Sequence, residues 1–300
     1  MFKICFEEIF QKKTDYEPRE TEFCNLPDNN TNFKNHCISF ASKIGHTFPE
    51  MQLCRSAEIF STLHDHDYFK ESPEETFLNY MNLLKMSDDD RNAIEYVTRG
   101  QSNNKKWLFE RCFRLNSSSF GEICKTTDPE KLLNNLTNEK DLSHVPAIMH
   151  GRKNEINAVR KFEEIMGLET EECGTFVCKQ HPHLSASQDR IINTDFCLEV
   201  KCPFTAKDCE ITPDTVSFIY IHPEEGVKLK EDNNYYFQVQ GQLLCRGRNY
   251  CYFVIYTSID CLILLIRRDD AFIHDIIQKL NTFFNNYFKK YLLNKYLYKK

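Results

Sequence analysis

The sequence predicts a mixed α/β protein: a central mixed β-sheet flanked by helices. Two observations carry this. Short β-rich runs, FCLEVK (196–201), YCYFVIY (250–256) and CLILLI (261–266), have strand length and composition. Between and around them lie segments of helical period. In PAIMHGRKNEINAVRKFEEIMG (146–167), Ile148, Ile156, Val159, Phe162 and Ile165 recur at three- and four-residue intervals. YYFQVQGQLLCRG (235–247) also reads as a helix. Strands alternating with helices are the pattern of an α/β core.

The other elements follow in chain order. SPEETFLNYMNLLKM (72–86) reads as a helix capped by its serine. RNAIEYVTRGQ and NNKKWLFERCFRL read as helices, the second holding the only tryptophan, Trp107. NSSSFGEICK (116–125) opens with good helix-start residues, and a polar connection leads to the long helix at 146. GTFVCK (174–179) is strand-like and reaches FCLEVK through the turn-rich SASQDR and NTD. The stretch between Lys201 and Tyr235 gives no reading of its own. TSID closes a hairpin between the last two strands, and a long helix with a lysine-rich end finishes the chain. We divide the chain into an accessory region, 1–91, and a second domain, 92–300.

Composition narrows the class without naming a function. Net charge is −6, but it is uneven. Residues 1–100 hold 11 basic and 18 acidic side chains, leaving 27 and 26 for the remainder. The acidity therefore sits in the front third, and the nearly balanced rest has room for a local basic groove. The 14 cysteines are scattered, many in apolar runs, with no CxxC pair. Buried free thiols are expected rather than a disulfide framework. The pairs His64/His66 and His181/His183 lack the cysteine pairs that a zinc site needs. The start, MFKICFEEIF, carries acids where a signal peptide needs an apolar stretch. No apolar run reaches the ~20 residues of a membrane span. A soluble, intracellular protein is expected.

The chemistry concentrates in SASQDRIINTDFCLEVKCP (185–203). A strand places Glu199 and Lys201 on one face and Leu198 and Val200 on the other. A hairpin would bring Asp189 alongside. Hydrolysis of a phosphodiester needs an activated water and neutralised phosphate charge, and a divalent cation on hard oxygen ligands supplies both. Asp189, Glu199 and the backbone carbonyl of Val200 could provide such ligands, with Lys201 beside them. Taken alone, the same pattern more often describes solvated charges on a strand.

The surrounding segments add a resemblance. RCFRLNSSSFGEIC, MHGRKNEINAVRKFEE, HPHLSASQDR, LEVKCPFTAKD and YYFQVQGQLLCRGRNYCYFVIYT occur in that order. Together they resemble the YqaJ and lambda-exonuclease branch of the PD-(D/E)xK nucleases, over roughly residues 92–290. The resemblance implies a restriction-endonuclease-like core behind a mainly helical N-terminal extension. It implies a deoxyribonuclease dependent on Mg²⁺, with Mn²⁺ as a substitute, digesting linear duplex DNA from 5′ ends in recombination, replication or repair. Asp189 and Glu199 become metal ligands, with Val200 through its carbonyl, and Lys201 the catalytic lysine. Glu155 and Gln238 border the site. Arg111, Ser118, Tyr235 and, more weakly, Arg114 are candidates for the 5′-phosphate and DNA. Lys125 and the terminal lysines 289, 290, 295, 299 and 300 are further phosphate candidates. A recombinase partner or a homo-oligomer is possible for such a chain.

Two departures stand out. Gln188 replaces the family's proline, and Arg190 replaces a glycine directly after Asp189, where backbone strain or a different turn is expected. The rival reading is a catalytically decayed relative kept as a DNA-binding or protein-interaction module, and Arg190 is its best support. An internally cutting endonuclease would have no use for a 5′-phosphate element.

Overall fold

The computed structural model describes residues 72–138 and 144–298. The chain divides into two compact units, Met1–Met81 with Leu292–Lys300, and Asn82–Tyr291. The expectations for His64/His66, for the start of the chain and for Lys299 and Lys300 lie outside the described residues. In the first unit, helix α1 (Pro73–Tyr80) is capped by Ser72, whose Oγ accepts from Glu75 N at 3.2 Å. Phe77 stacks on Tyr296, ring centroids 6.4 Å apart, and Tyr298 OH donates to Glu74 Oε1 at 2.6 Å.

The second unit opens with α2 (Asp88–Val97), α3 (Lys105–Cys112), β1 (Leu115–Asn116), α4 (Phe120–Lys125), α5 (Pro129–Thr137) and α6 (Pro146–Met166). Then come β2 (Phe176–Val177), β3 (Leu184–Ala186), β4 (Arg190–Ile192), β5 (Phe196–Lys201), β6 (Ile219–His222) and β7 (Gly226–Leu229). Helix α7 (Asn234–Arg246), β8 (Tyr250–Tyr256), β9 (Cys261–Arg267) and α8 (Asp270–Phe283) complete it. A π-helical turn, Phe284–Phe288, leads into α9 (Lys289–Tyr296).

The central sheet has the order β4-β5-β8-β9. β5 and β8 are parallel, and the two outer pairs are antiparallel, so the sheet is mixed. Each face buries a helix. Leu198, Val200 and Val254 pack with Ala158, Val159 and Phe162 of α6. On the other face Cys197, Phe253 and Ile255 pack with Val239 and Leu243 of α7. The alternation follows from the strand's period of two: odd residues of β5 face α7 and even residues face α6. The flanked mixed sheet is the predicted class.

A smaller sheet, β1-β3-β2, contains the expected strand of GTFVCK as β2 and places β3 where SASQDR read as a turn. β3 pairs in parallel with Leu115–Asn116 and antiparallel with Phe176–Val177. Three residues suffice because Ser185 is buried and donates to Asn116 Oδ1 at 2.9 Å. Three further expectations are corrected. The polar connection contains α5, started by Asp128, whose Oδ1 accepts from Lys131 N at 3.1 Å. The unread stretch after Lys201 contains the β6–β7 hairpin. On α6, Ile156 and Ile165 are 41% and 50% exposed, and Ala158, Val159 and Phe162 form the buried stripe. Among the expected buried thiols, Cys173, Cys178, Cys197, Cys245 and Cys251 are buried and free.

Helix α7 lies very close to the Ser117–Ser119 turn and α4. A Cβ added at Gly241 would stand 2.6 Å from a Phe120 ring carbon and 2.9 Å from Ser117 Cβ. Phe120 is fully buried, so its ring has little room to yield. Gly241→Ala is expected to destabilise this unit by about 1–3 kcal/mol through overpacking. A melting-temperature drop of about 2–4 °C per kcal/mol would register it for a domain of this size. An unchanged melting curve would contradict the tight contact.

Candidate active site

The site is built where β4 stops pairing with β5. A turn at Asn193, with φ of 50°, reverses the chain between the two strands. The register sets Arg190 opposite Leu198, and Asp189 N donates to Leu198 O at 3.1 Å. Beyond this point β5 has no strand on that side, and Asp189 itself takes the place of one. Its Oδ2 accepts from Val200 N at 2.6 Å. In a strand the N–H and C=O of one residue point to the same side. The Val200 carbonyl therefore turns to the same open edge as Asp189.

Glu199 and Lys201 face α7. Glu199 is only 2% exposed, and three donors hold its carboxylate. Lys201 Nζ and Gln238 Nε2 reach Oε1 at 2.5 and 2.6 Å, and Gln242 Nε2 reaches Oε2 at 2.5 Å. Lys201 Nζ also donates to Gln238 Oε1 at 3.2 Å and lies 4.7 Å from the Tyr235 ring centroid. Tyr235, Gln238 and Gln242 recur on one side of α7, the spacing a helix needs to present a polar stripe. A cavity of about 270 Å³ opens at the sheet edge, lined by Gly151 and Glu155 of α6 with Asp189, Val200, Lys201 and Tyr235.

Electrostatics set the character of this cavity. Burial, reinforced by Glu199 and Glu155, pushes the Asp189 carboxyl well above the usual aspartate range. Burial also raises Glu155, against the pull of Arg190, and Glu199 adds to the rise. Burial works against the Lys201 ammonium, but Glu199 and Asp189 outweigh it and hold Lys201 above the ordinary lysine value. Three carboxyls thus share a site with one lysine, an excess of negative charge that a cation would relieve. Among the described residues, no three His, Cys, Asp or Glu side chains gather closely enough to cage a metal alone. Two carboxylates and a carbonyl, completed by water and substrate phosphate, are what Mg²⁺ accepts. The donor set fits a hard divalent cation.

Arg190 does not strain the turn. Among the described non-glycine residues, only Asn82, Gln101 and Asn193 have positive φ. Arg190 is the first residue of β4, and its Nη1 pairs with Glu172 Oε1 at 3.0 Å. The tight turn lies at Asn193, three residues on. Gln188 is buried, donating to Cys197 Sγ at 3.4 Å, while its backbone carbonyl accepts from Gln101 Nε2 at 2.6 Å.

The two arginines proposed for phosphate differ sharply. Arg114 is 2% exposed, donates to the Pro182 carbonyl at 3.0 Å and pairs with Glu110, so it is a packing residue. Arg111 is half-buried and, among the described residues, has no carboxylate partner. Its Nη2 donates to Ser118 Oγ at 3.3 Å, and burial lowers its pKa to about 10. Ser118 is exposed beside it. Lys125 donates to the Asp232 carbonyl at 2.9 Å. Trp107 and Ser187 join these residues to the acids; Ser187 lies inside the HPHLSASQDR segment, but nothing in the sequence marks its partnership with Trp107. Only the fold brings them together.

Fold and site together define a nuclease-fold domain built on an acid–lysine strand at a sheet edge. Residues 106–249 match the model of the YqaJ-like viral recombinase domain. The alkaline exonuclease LHK-Exo from Laribacter hongkongensis is similar in structure. It is 22% identical with a TM-score of 0.51, over 64% of this chain and 97% of that one. LHK-Exo in complex with dAMP matches over the same shares at 22% identity and a TM-score of 0.52. At this identity the likeness speaks for the fold. A comparison with curated proteins finds no match. Among the described residues, no helix is long and apolar enough to cross a membrane.

The raised Asp189 carboxyl has a consequence for metal-free protein. A carboxyl raised on folding contributes stability that is complete below the unfolded value, about 3.9, and is lost as pH rises through the raised one. Metal-free wild type should therefore lose melting temperature relative to Asp189→Asn as pH rises from the ordinary carboxylate range toward neutrality. Mg²⁺ should restore wild type and not the variant. Parallel pH profiles for the two proteins would refute this account of the site.

Proposed function

We propose that this protein is a Mg²⁺-dependent deoxyribonuclease that hydrolyses phosphodiester bonds of linear duplex DNA from 5′ ends. The observation that carries the reading is the gathering of Asp189, Lys201 and Val200 around one cavity at the open sheet edge, with the buried Glu199 bonded to Lys201 behind it. A bound divalent cation would polarise the phosphate and lower the pKa of a water. Asp189, Glu199 and the Val200 carbonyl would hold it, with Glu155 at the border of the cavity. Lys201, held as an ammonium, is a donor: it orients the attacking water and faces charge developing on phosphate oxygen. Gln238 keeps Lys201 and Glu199 in register through bonds to both.

The reading of the end rests on Arg111 and Ser118. A half-buried guanidinium without a carboxylate partner, next to a hydroxyl, is suited to a terminal phosphate dianion. Tyr235, over Lys201, stands at the cavity wall where a nucleotide would enter. The structural neighbour LHK-Exo, by name an alkaline exonuclease and also crystallised with dAMP, supports a nucleotide-handling site. A recombinase partner and a homo-oligomer fit this reading. The rival binding-module reading leans on Arg190, which begins a strand without left-handed backbone.

The test uses end-labelled linear duplex DNA with Mg²⁺, Mn²⁺ or chelator. Wild type should release nucleotides only with metal, faster from 5′-phosphorylated than from 5′-hydroxyl ends. Glu199→Ala and Lys201→Ala should each lower the rate by about a hundredfold or more. Folded wild type that binds DNA but cuts no end with either metal would establish the binding module instead.

A further inference from the structure

Trp107, the only tryptophan in the sequence, touches both halves of the site. Its ring lies 4.4 Å from the Arg111 guanidinium carbon, one turn along α3. Its indole Nε1 donates to Ser187 Oγ at 2.8 Å, and Ser187 precedes Asp189 by two residues. Ser187 Oγ also lies 3.1 Å from Thr175 Oγ1. The Ser187 carbonyl accepts from Gln242 Nε2 at 3.4 Å, the same nitrogen that donates to Glu199 Oε2. One line of contacts thus runs from the unpaired guanidinium to the buried acid.

The geometry explains how an arginine without a carboxylate can be held still. A guanidinium laid on an aromatic face is fixed in plane, while its N–H edge stays free to fork onto a phosphate. A carboxylate partner would fix it as well, but would occupy that edge, as Glu110 does for Arg114. The indole ring orients Arg111 without competing for its donors. The indole N–H in turn fixes the ring to the chain segment that carries Asp189. Phenylalanine could supply the face but not the tether; leucine could supply neither.

Resting on the reading that Arg111 and Ser118 receive the terminal phosphate, we propose that Trp107 is the positioning residue of that pocket. Its ring sets the plane of the guanidinium, and its indole N–H ties that plane to the segment bearing Asp189. The end of the strand and the site of cleavage are thereby held at a set spacing.

The experiment measures kcat and KM on 5′-phosphorylated and 5′-hydroxyl duplexes for wild type, Trp107→Leu and Trp107→Phe. The preference for phosphate, as a ratio of kcat/KM values, should fall about five- to tenfold in Trp107→Leu, mainly through KM for the phosphorylated end. Trp107→Phe, which keeps the face but loses the bond to Ser187, should fall between the two, with a preference about two- to fourfold below wild type; a Trp107→Phe protein with the full wild-type preference would overturn the tether. A second measurement needs no variant. The emission of this single tryptophan in wild type should shift when a 5′-phosphorylated oligonucleotide binds with Ca²⁺ in place of Mg²⁺, and not with its 5′-hydroxyl counterpart. A Trp107→Leu protein with the wild-type preference, or equal emission with both ends, would overturn the role of Trp107. Wild type with no preference for phosphate would instead remove the end pocket itself, and the proposal with it.

Discussion

Everything in the site hangs on the burial of Glu199. Removing a carboxylate from water costs several kcal/mol unless its oxygens are matched by donors. Here Lys201, Gln238 and Gln242 match them. Two of the three come from α7, so the position of that helix over the sheet is tied to the charge on β5. Burial of Val239 and Leu243 against Cys197, Phe253 and Ile255 supplies the apolar part of the same interface. The close approach at Gly241 lets the helix rest on Phe120 and Ser117 at the same time. The helix therefore connects three things: the buried acid, the sheet core, and the turn that carries Ser118.

The arrangement also separates structural cations from available ones. Arg114 and Arg111 stand three residues apart on one segment, yet the first is locked to Glu110 and a carbonyl while the second rests on a ring. An ion pair satisfies a guanidinium and ends its usefulness to a ligand. Stacking satisfies only its face. Burial that lowers the Arg111 pKa is a cost the fold bears without an internal counter-charge, and an incoming anion is the group that would offset it.

The legible part of the sequence was the part with strong local period. β5, β8 and β9 are long and β-rich, and α6 and α7 have clear helical spacing, so their existence and type follow from pattern. β3 and β4 have three residues each and include Ser185 and Arg190, too short and polar for a period to show. They exist because partners on either side complete their hydrogen bonds, a tertiary effect. The exposure of Ile156 and Ile165 has the same origin: helical spacing marks an apolar face, but the sheet covers only the part near Val159 and Phe162. Asp189, Glu199 and Lys201 were readable because one hairpin unites them. Gln242, in the expected polar stripe, proved to be a direct partner of Glu199. Trp107 and Ser187 are eighty residues apart and meet only in the fold.

Arg190 tests whether the site is intact or in decay. Its guanidinium pairs with Glu172, and its field favours the charged form of Glu155. It therefore moderates the negative excess without taking the place of a ligand. The excess itself is informative. Asp189 and Glu155 are both raised by burial and by their acidic neighbours, so in the metal-free protein each works against folding as the pH rises. A scaffold retained only for binding would gain stability by losing either acid. That both stand beside Glu199 and a protonated Lys201 is an arrangement a divalent cation would turn from a liability into a set of bonds.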